Sequence, residues 1–251
     1  RVCRAKTYPM CGRMTLTHPN DAMAQTFGAA PSNVLPDGPQ YNICPTQDVV
    51  VVTSNDGTLH FRVMRWGFLP HWYKSATDGT LLINARRETI ADKPAFRAAC
   101  RTCRCLILAT GFYEWTKDTA GNRLPWYIAP RDQQPLVFAG IWQDWCVDEA
   151  AFTTCAIVTC SAGAGLRHIH HREPVSLGPD QWALWLGEQG MGAATLMKPA
   201  PDDRFVAYRV APKVNSNRAQ GPDLDRGAID RKRAAPRFGR PSSGSYPHPT
   251  L

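Results

Sequence analysis

Four short stretches of the chain carry polar residues in settings that could support chemistry. The first is "MCGR", which sets Cys11 between Met10 and Gly12, with Arg13 next. The second is "INARRET", where Asn84, Arg86, Arg87 and Glu88 follow the apolar residues Leu81, Leu82 and Ile83. The third is "GFYEW", with Glu114 among Phe112, Tyr113 and Trp115. The fourth is "HIHHREPVSL", with His168, His170, His171 and Arg172 ahead of a proline. A glutamate flanked by aromatic rings is expected to be partly desolvated, which raises its pKa toward values useful for proton transfer. A surface strand residue between core aromatics gives the same pattern, so spacing alone leaves both readings open. A histidine cluster is structural as readily as it is catalytic. Arg86 and Arg87 suit phosphate oxygens or open solvent equally.

Zinc is the rival chemistry. "CRTCRC" offers Cys100, Cys103 and Cys105, and the histidines follow later. A structural zinc site needs a second matching pair of ligands, and His168, His170 and His171 lack ligand-like spacing. Cys155 and Cys160 lie on an expected strand. Cys105 precedes Leu106, Ile107 and Leu108, where a cysteine packs as a small hydrophobe.

The elements that must position these groups read mostly as short strands. "QDVVVVTS" is a buried strand, and "LHFRVMRWG" sets Leu59, Phe61 and Val63 against His60, Arg62 and Met64 in a half-buried alternation. "CLILATGFYEW", "LPWYIAP", "PLVFAGIW", "TTCAIVTC" and "RFVAYRVA" complete the set, punctuated by turns such as "SNDGT" and "DTAGNR". Helices are fewer. "THPNDAMAQTFG" offers Thr17 as an N-cap and Gly28 as a stop; "KPAFRAACR" and "GPDQWALWLGE" suggest two more. No long alternation of strands with crossover helices occurs, which excludes a doubly wound sheet.

A hydrophobic content of 43% with 20% charged residues is enough to build a packed core. No apolar run reaches the length of about 18 residues that a spanning helix needs, and "LVFAGIW" is far shorter. The absence of an apolar signal region and nine cysteines, an odd number, point to a reducing cytoplasm, with nucleoid association if the source is bacterial. The net charge of +8 suggests a polyanionic partner but gathers at the two ends. Residues 1–10 carry Arg1, Arg4 and Lys6 with no acid, and residues 223–251 carry six basic against three acidic side chains. Any nucleic-acid site in the body is therefore a local patch.

Taken in chain order, "MCGR", "YNICP", "RWGFLPHW", "INARRET", "GFYEW", "FAGIW" and "IHHREPVSL" resemble the SRAP family, the SOS-response-associated peptidase-like proteins that process abasic sites in single-stranded DNA. The resemblance runs from Met10 to about Pro222, where "VNSNRAQGP" is similar to the family's closing motif. It implies an α+β fold in which a mostly antiparallel, curled sheet forms a barrel-like core with a few peripheral helices. Residues 1–10 become an extension, either a propeptide or a mis-assigned start; 11–222 form the SRAP domain; 223–251 form a disordered basic tail.

In this family the methionine is removed and the next residue, cysteine, becomes the N-terminus, so the resemblance makes Cys11 the nucleophile. An open abasic site is an aldehyde. A free α-amine, with a pKa of about 7.7–8, attacks it to form a Schiff base. The thiol of the same residue then adds to the imine carbon and closes a thiazolidine ring, with proximity supplying the rate. By matching position, Glu114 is the acid/base glutamate, His170 handles the sugar hydroxyl or the Schiff-base step, and Asn84 binds the abasic sugar and orients the cysteine. Arg13, Arg86 and Arg172 are expected on backbone phosphates, and Trp72 and Tyr73 on flanking bases. Met14 replaces a common aromatic. Glu173 stands where the family often has Met or Arg, an acid expected to weaken the neighbouring phosphate contact. No cofactor and no metal are implied. The partner is single-stranded DNA containing abasic sites, with no membrane, and the protein is expected to be a monomer. A cysteine peptidase acting on protein, its own N-terminus included, and a non-covalent single-strand-binding module are the alternatives.

Overall fold

The computed structural model describes residues 12–31 and 35–227. Its strands are β1 (Met14–Leu16), β2 (Ala30–Pro31), β3 (Gln40–Ile43), β4 (Asp48–Asn55), β5 (Thr58–Trp66), β6 (Asn84–Arg86), β7 (Arg104–Ala109), β8 (Gly111–Lys117), β9 (Arg123–Pro130), β10 (Leu136–Val147), β11 (Ala150–Ser161), β12 (Arg172–Pro174) and β13 (Phe205–Arg209). The α-helices are short: α1 (Asn20–Phe27), α2 (Ala99–Thr102), α3 (Ala164–Arg167) and α4 (Trp182–Leu186). This is the α+β, mostly antiparallel, barrel-like architecture expected from the sequence.

Five strands close on themselves in the order β11-β10-β7-β4-β5, because β5 returns to pair β11 in parallel at Thr154↔Arg65 and Cys155↔Trp66. Closure removes the edges that an open sheet would expose. Val51, Val52, Leu106, Ile107, Ile141 and Ile157 are almost wholly buried in this region. Gly140 sits opposite Cys105, and a Cβ there would lie 2.7 Å from the Cys105 Sγ. The glycine leaves the room that the Cys105 and Ile107 side chains occupy. The hairpin from β4 to β5 turns through Asp56 and Gly57, with φ 49° and 77°. Those paired positive angles are the type I′ geometry that twists with its strands, and "NDGT" encodes it.

A second sheet runs β13-β9-β8-β1-β3. Phe112 on β8 meets Phe138 of the barrel edge-on at 5.8 Å and Phe205 at 5.9 Å. The other face of β8 carries Tyr113, packed with Tyr127, Val210, Val214 and Leu224. Strand alternation therefore sets Glu114 on the Phe112 face, toward the barrel.

Several expectations shift. "CLILATGFYEW" is two strands in two sheets, with Thr110 as the corner; its N–H donates to the Thr15 carbonyl at 2.7 Å. On β5 the buried residues are Phe61, Met64 and Trp66, so both faces are covered and the simple alternation fails. Thr17 is not the N-cap of α1; its N–H donates to Thr110 Oγ1, and Pro19 precedes the helix, whose carbonyl takes the Met23 N–H. Gly28 does end α1, at φ 59°. "KPAFRAACR" is mostly consecutive turns, with only the short α2 at its end. The body also continues past residue 222. Leu224 is fully buried, Tyr208 Oη donates to the Asp225 carbonyl at 2.7 Å, and Val210 bridges Gly227. The rest of the expected tail lies outside the described residues.

Candidate functional site

Cys11 lies outside the described residues, and Gly12 is the first of them. β1 runs antiparallel to β8, with Met14↔Phe112 and Thr15↔Gly111, and the Tyr113 N–H donates to the Arg13 carbonyl at 3.0 Å. Continued, this register sets Gly12 opposite Glu114. Arg13 Nη1 donates to Asn42 Oδ1 and to the Val214 carbonyl, each at 2.8 Å, and its guanidinium lies 5.8 Å from the centre of the Trp115 ring. Asn42 Nδ2 in turn donates to the carbonyls of Ser216 and Ala219, and Trp115 Nε1 to Asn215 Oδ1. The closing motif thus straps β1, β3 and β8 together through Arg13. One end of that guanidinium is committed to the fold, not held out for a phosphate.

Glu114 is 5% exposed and pairs across the ladder with Trp126. The Trp126 ring meets His168 edge-on at 6.0 Å. This contact brings the loop after α3 onto the β8–β9 ribbon that holds the glutamate. On that loop His170 is half-buried, and its Nδ1 lies 3.1 Å from the Arg172 nitrogen and 3.3 Å from the Arg172 carbonyl oxygen, within reach of a donor and an acceptor. Burial lowers the His170 pKa below its ordinary 6.5, and His171, whose ring centre lies 4.3 Å away, adds to the effect. His170 is therefore neutral at physiological pH, with one ring nitrogen a donor and the other an acceptor.

Asn84 and Arg86 stand on β6, which pairs in parallel with the last part of β11 at Ile157↔Asn84 and Thr159↔Arg86. Asn84 is half-buried and Arg86 exposed, so Arg86 is available to an incoming anion. Arg172 is not: its side chain is 8% exposed. Its Nη1 pairs with Glu88 Oε1 at 2.6 Å, and its Nη2 donates to the carbonyl and hydroxyl of Thr159. The expected phosphate contact is a brace between the exit of β6 and β11, and the same residue's backbone orients His170. The guanidinium holds the Glu88 carboxyl below its usual range.

Glu173 also departs from expectation. It is 2% exposed and accepts the Gly163 N–H at 3.1 Å and the Ala200 N–H at 2.7 Å. An inward carboxylate spent on the backbone does not repel DNA from the surface.

Trp72 is 56% exposed. Tyr73 is part-buried and tied to its own loop: its hydroxyl bonds the N–H and carbonyl of Thr80, and a Cβ on Gly79 would lie 2.6 Å from its ring. Trp145 Nε1 donates to the Tyr73 carbonyl at 3.1 Å, which anchors this loop on the β10–β11 hairpin. The sequence reading missed Phe152, 39% exposed, which stacks on Trp145 at 6.0 Å beside the Arg65 guanidinium. Thr159, Asn42 and Glu88 were missed as partners because they meet their arginines only in three dimensions. Among the described residues no three His, Cys, Asp or Glu side chains are grouped to hold a metal ion. Cys105, Cys155 and Cys160 are fully buried strand residues.

Residues 10–217 match the family described as SOS response associated peptidase (SRAP). The chain is 32% identical over 222 residues to the abasic site processing protein YoqW of Bacillus subtilis, covering 86% of this chain and 98% of that one. It is 28% identical over 223 residues to the abasic site processing protein YedK of Escherichia coli, covering 86% and 98%. A crystal structure of a protein from Bacteroides thetaiotaomicron superposes with a TM-score of 0.77 at 26% identity, covering 87% of this chain and all of that one.

Proposed function

The chain belongs to the SRAP family, and from that premise we propose that it captures abasic sites in single-stranded DNA as a covalent adduct on Cys11. The observation that carries this reading is the β1–β8 register, which sets Gly12, the residue after Cys11, opposite buried Glu114. A trans peptide spans about 3.8 Å between Cα atoms, so Cys11 is tethered within that distance of Gly12. The relatives' names, abasic site processing proteins, support the same reading.

The chemistry proceeds in balanced steps. The Cys11 amine adds to the open sugar's aldehyde, giving a carbinolamine. Glu114 accepts a proton from nitrogen and returns one to the departing hydroxyl, so water leaves and a Schiff base forms. The thiol adds to the imine carbon as its proton passes to the nitrogen, and the ring closes. Neutral His170 bonds the sugar oxygen through Nε2, and the Asn84 amide bonds the sugar from β6. Arg86 takes a phosphate, and Trp72 stacks on a flanking base. An amide nitrogen has no basic lone pair, so the reaction requires residues 1–10 to be absent or cut away at Met10–Cys11. A self-cleaving thiol assisted by Glu114 fits the family's peptidase description. A monomer acting in the cytoplasm completes the proposal.

The test is a denaturing gel with an abasic single strand. Protein beginning at Cys11 is expected to give a heat-stable adduct, and Cys11→Ala none. Wild-type yields from Cys11→Ala would overturn the proposal.

A further inference from the structure

The segment 162–171, which carries His170, is a loop closed at its base. Ser161 faces Arg172 across the β11–β12 ladder, and the Ala162 N–H donates to the His171 carbonyl at 3.0 Å. Arg167 folds back through Nε and Nη2 onto the Ala162 carbonyl. Two carboxylates then fasten the loop to the segment that precedes β13. Glu173 takes the Gly163 N–H on one oxygen and the Ala200 N–H on the other, and Asp202 Oδ1 takes the Gly165 N–H at 3.1 Å. The fit is close: a Cβ on Gly165 would lie 2.5 Å from the Asp202 carbonyl oxygen.

We propose that Glu173, seconded by Asp202, is a positioning residue that holds the His170 loop in its reactive geometry. Glu173 directly follows Arg172, whose backbone nitrogen and carbonyl oxygen lie 3.1 and 3.3 Å from His170 Nδ1. One side chain therefore ties down both ends of the loop, the Gly163 end by hydrogen bond and the Arg172 end through the backbone. Buried carboxylates that accept backbone N–H groups form the stronger class of hydrogen bond, so the tie is stiff. Burial disfavours the charged form of Glu173 while the two N–H groups favour it, and Asp202 adds a like charge. A carboxylate kept in so costly a place is needed for its two acceptor oxygens, since an apolar side chain would fill the space but orphan the Gly163 and Ala200 N–H groups.

This inference rests on the capture reading for its rate assay but not for its spectrum. The variants are Glu173→Gln, which retains one acceptor, and Asp202→Asn, each alone and in a His170→Ala background, in protein running from Cys11 to Leu251. Glu173→Gln is expected to slow adduct formation at saturating DNA by about ten- to a hundredfold, with half-saturation unchanged. Asp202→Asn should give a smaller loss. In the His170→Ala background Glu173→Gln should cause no further slowing, whereas a merely structural role would slow both backgrounds alike. Nitrogen NMR of the His170 ring should show a shifted Nδ1 resonance in Glu173→Gln, as its contacts with the Arg172 backbone loosen. Equal slowing in both backgrounds, or an unchanged ring spectrum, would overturn the clamp. If the wild type forms no adduct, the capture reading fails, and the ring spectrum still decides the clamp.

Discussion

β11 behaves as two different strands. Its residues 150–157 pair with β10 throughout, and Thr154 and Cys155 also take β5, which closes the barrel. Its residues 157–161 have β6 on one side and β12 on the other. The first stretch ends on Cys155, Ala156 and Ile157, buried in the barrel, where burial is worth roughly 25 cal/mol per Å² regardless of direction, and its Thr153 and Thr154 bond within the β10–β11 hairpin. The second is held by named polar bonds, Arg172 to Glu88 and Thr159, Glu173 to Gly163 and Ala200. The barrel half thus sets stability and the far half sets geometry, and substitutions in the two should separate.

The sharpest separation is expected at Glu114. Glu114→Gln keeps the side-chain shape but not the proton transfer, so adduct formation should slow by about 10²–10⁴-fold. Thermal melting should scarcely move. A melting loss as large as that of a barrel mutant would break the distinction. Ile107→Ala is the reverse case. It empties a fully buried site on β7 and should cost about 2–5 kcal/mol. At about 2–4 °C of Tm per kcal/mol, melting falls visibly, while the rate per folded molecule stays at the wild-type value.

Trp72→Ala tests whether the outer edge contributes affinity alone. Loss of one stacked base should weaken DNA binding by about 1–3 kcal/mol without changing the rate at saturation. A slower saturated rate would place Trp72 in the chemistry. The smallest effect concerns acid stability. The His170 pKa is lowered from 6.5 on folding, so the folded state binds its proton less readily than the unfolded chain. Its stabilising contribution is complete above about 6.5 and is lost as pH falls through the lowered folded value. His170→Gln should flatten that acid loss in denaturant titrations; an unaltered profile would show that the buried ring carries no such linkage.

How much of this was legible differs along the same divide. The "NDGT" hairpin, the Val49–Val52 run and the Gly28 stop follow from local rules, because each depends on residues that are adjacent in the chain. Thr110 escaped notice as a corner, although Gly111 follows it, because a β-branched residue inside a long apolar run reads as strand interior. Glu114 and His170 were found as polar interruptions and by resemblance. The burial of Arg172 and Glu173 was not found, since both look like surface charges until Glu88, Thr159, Gly163 and Ala200 arrive from elsewhere. Polar networks of this kind leave no period in the sequence.

The central claim is that the reactive group is an N-terminal cysteine. Its most direct measurement is the intact mass of the adduct formed on an abasic single strand without added reductant, followed by peptide mapping. The expected product is a chain starting at Cys11 plus the oligonucleotide less one water, with the modification on Cys11. An adduct of equal stability on a lysine, or on a chain still carrying residues 1–10, would contradict it.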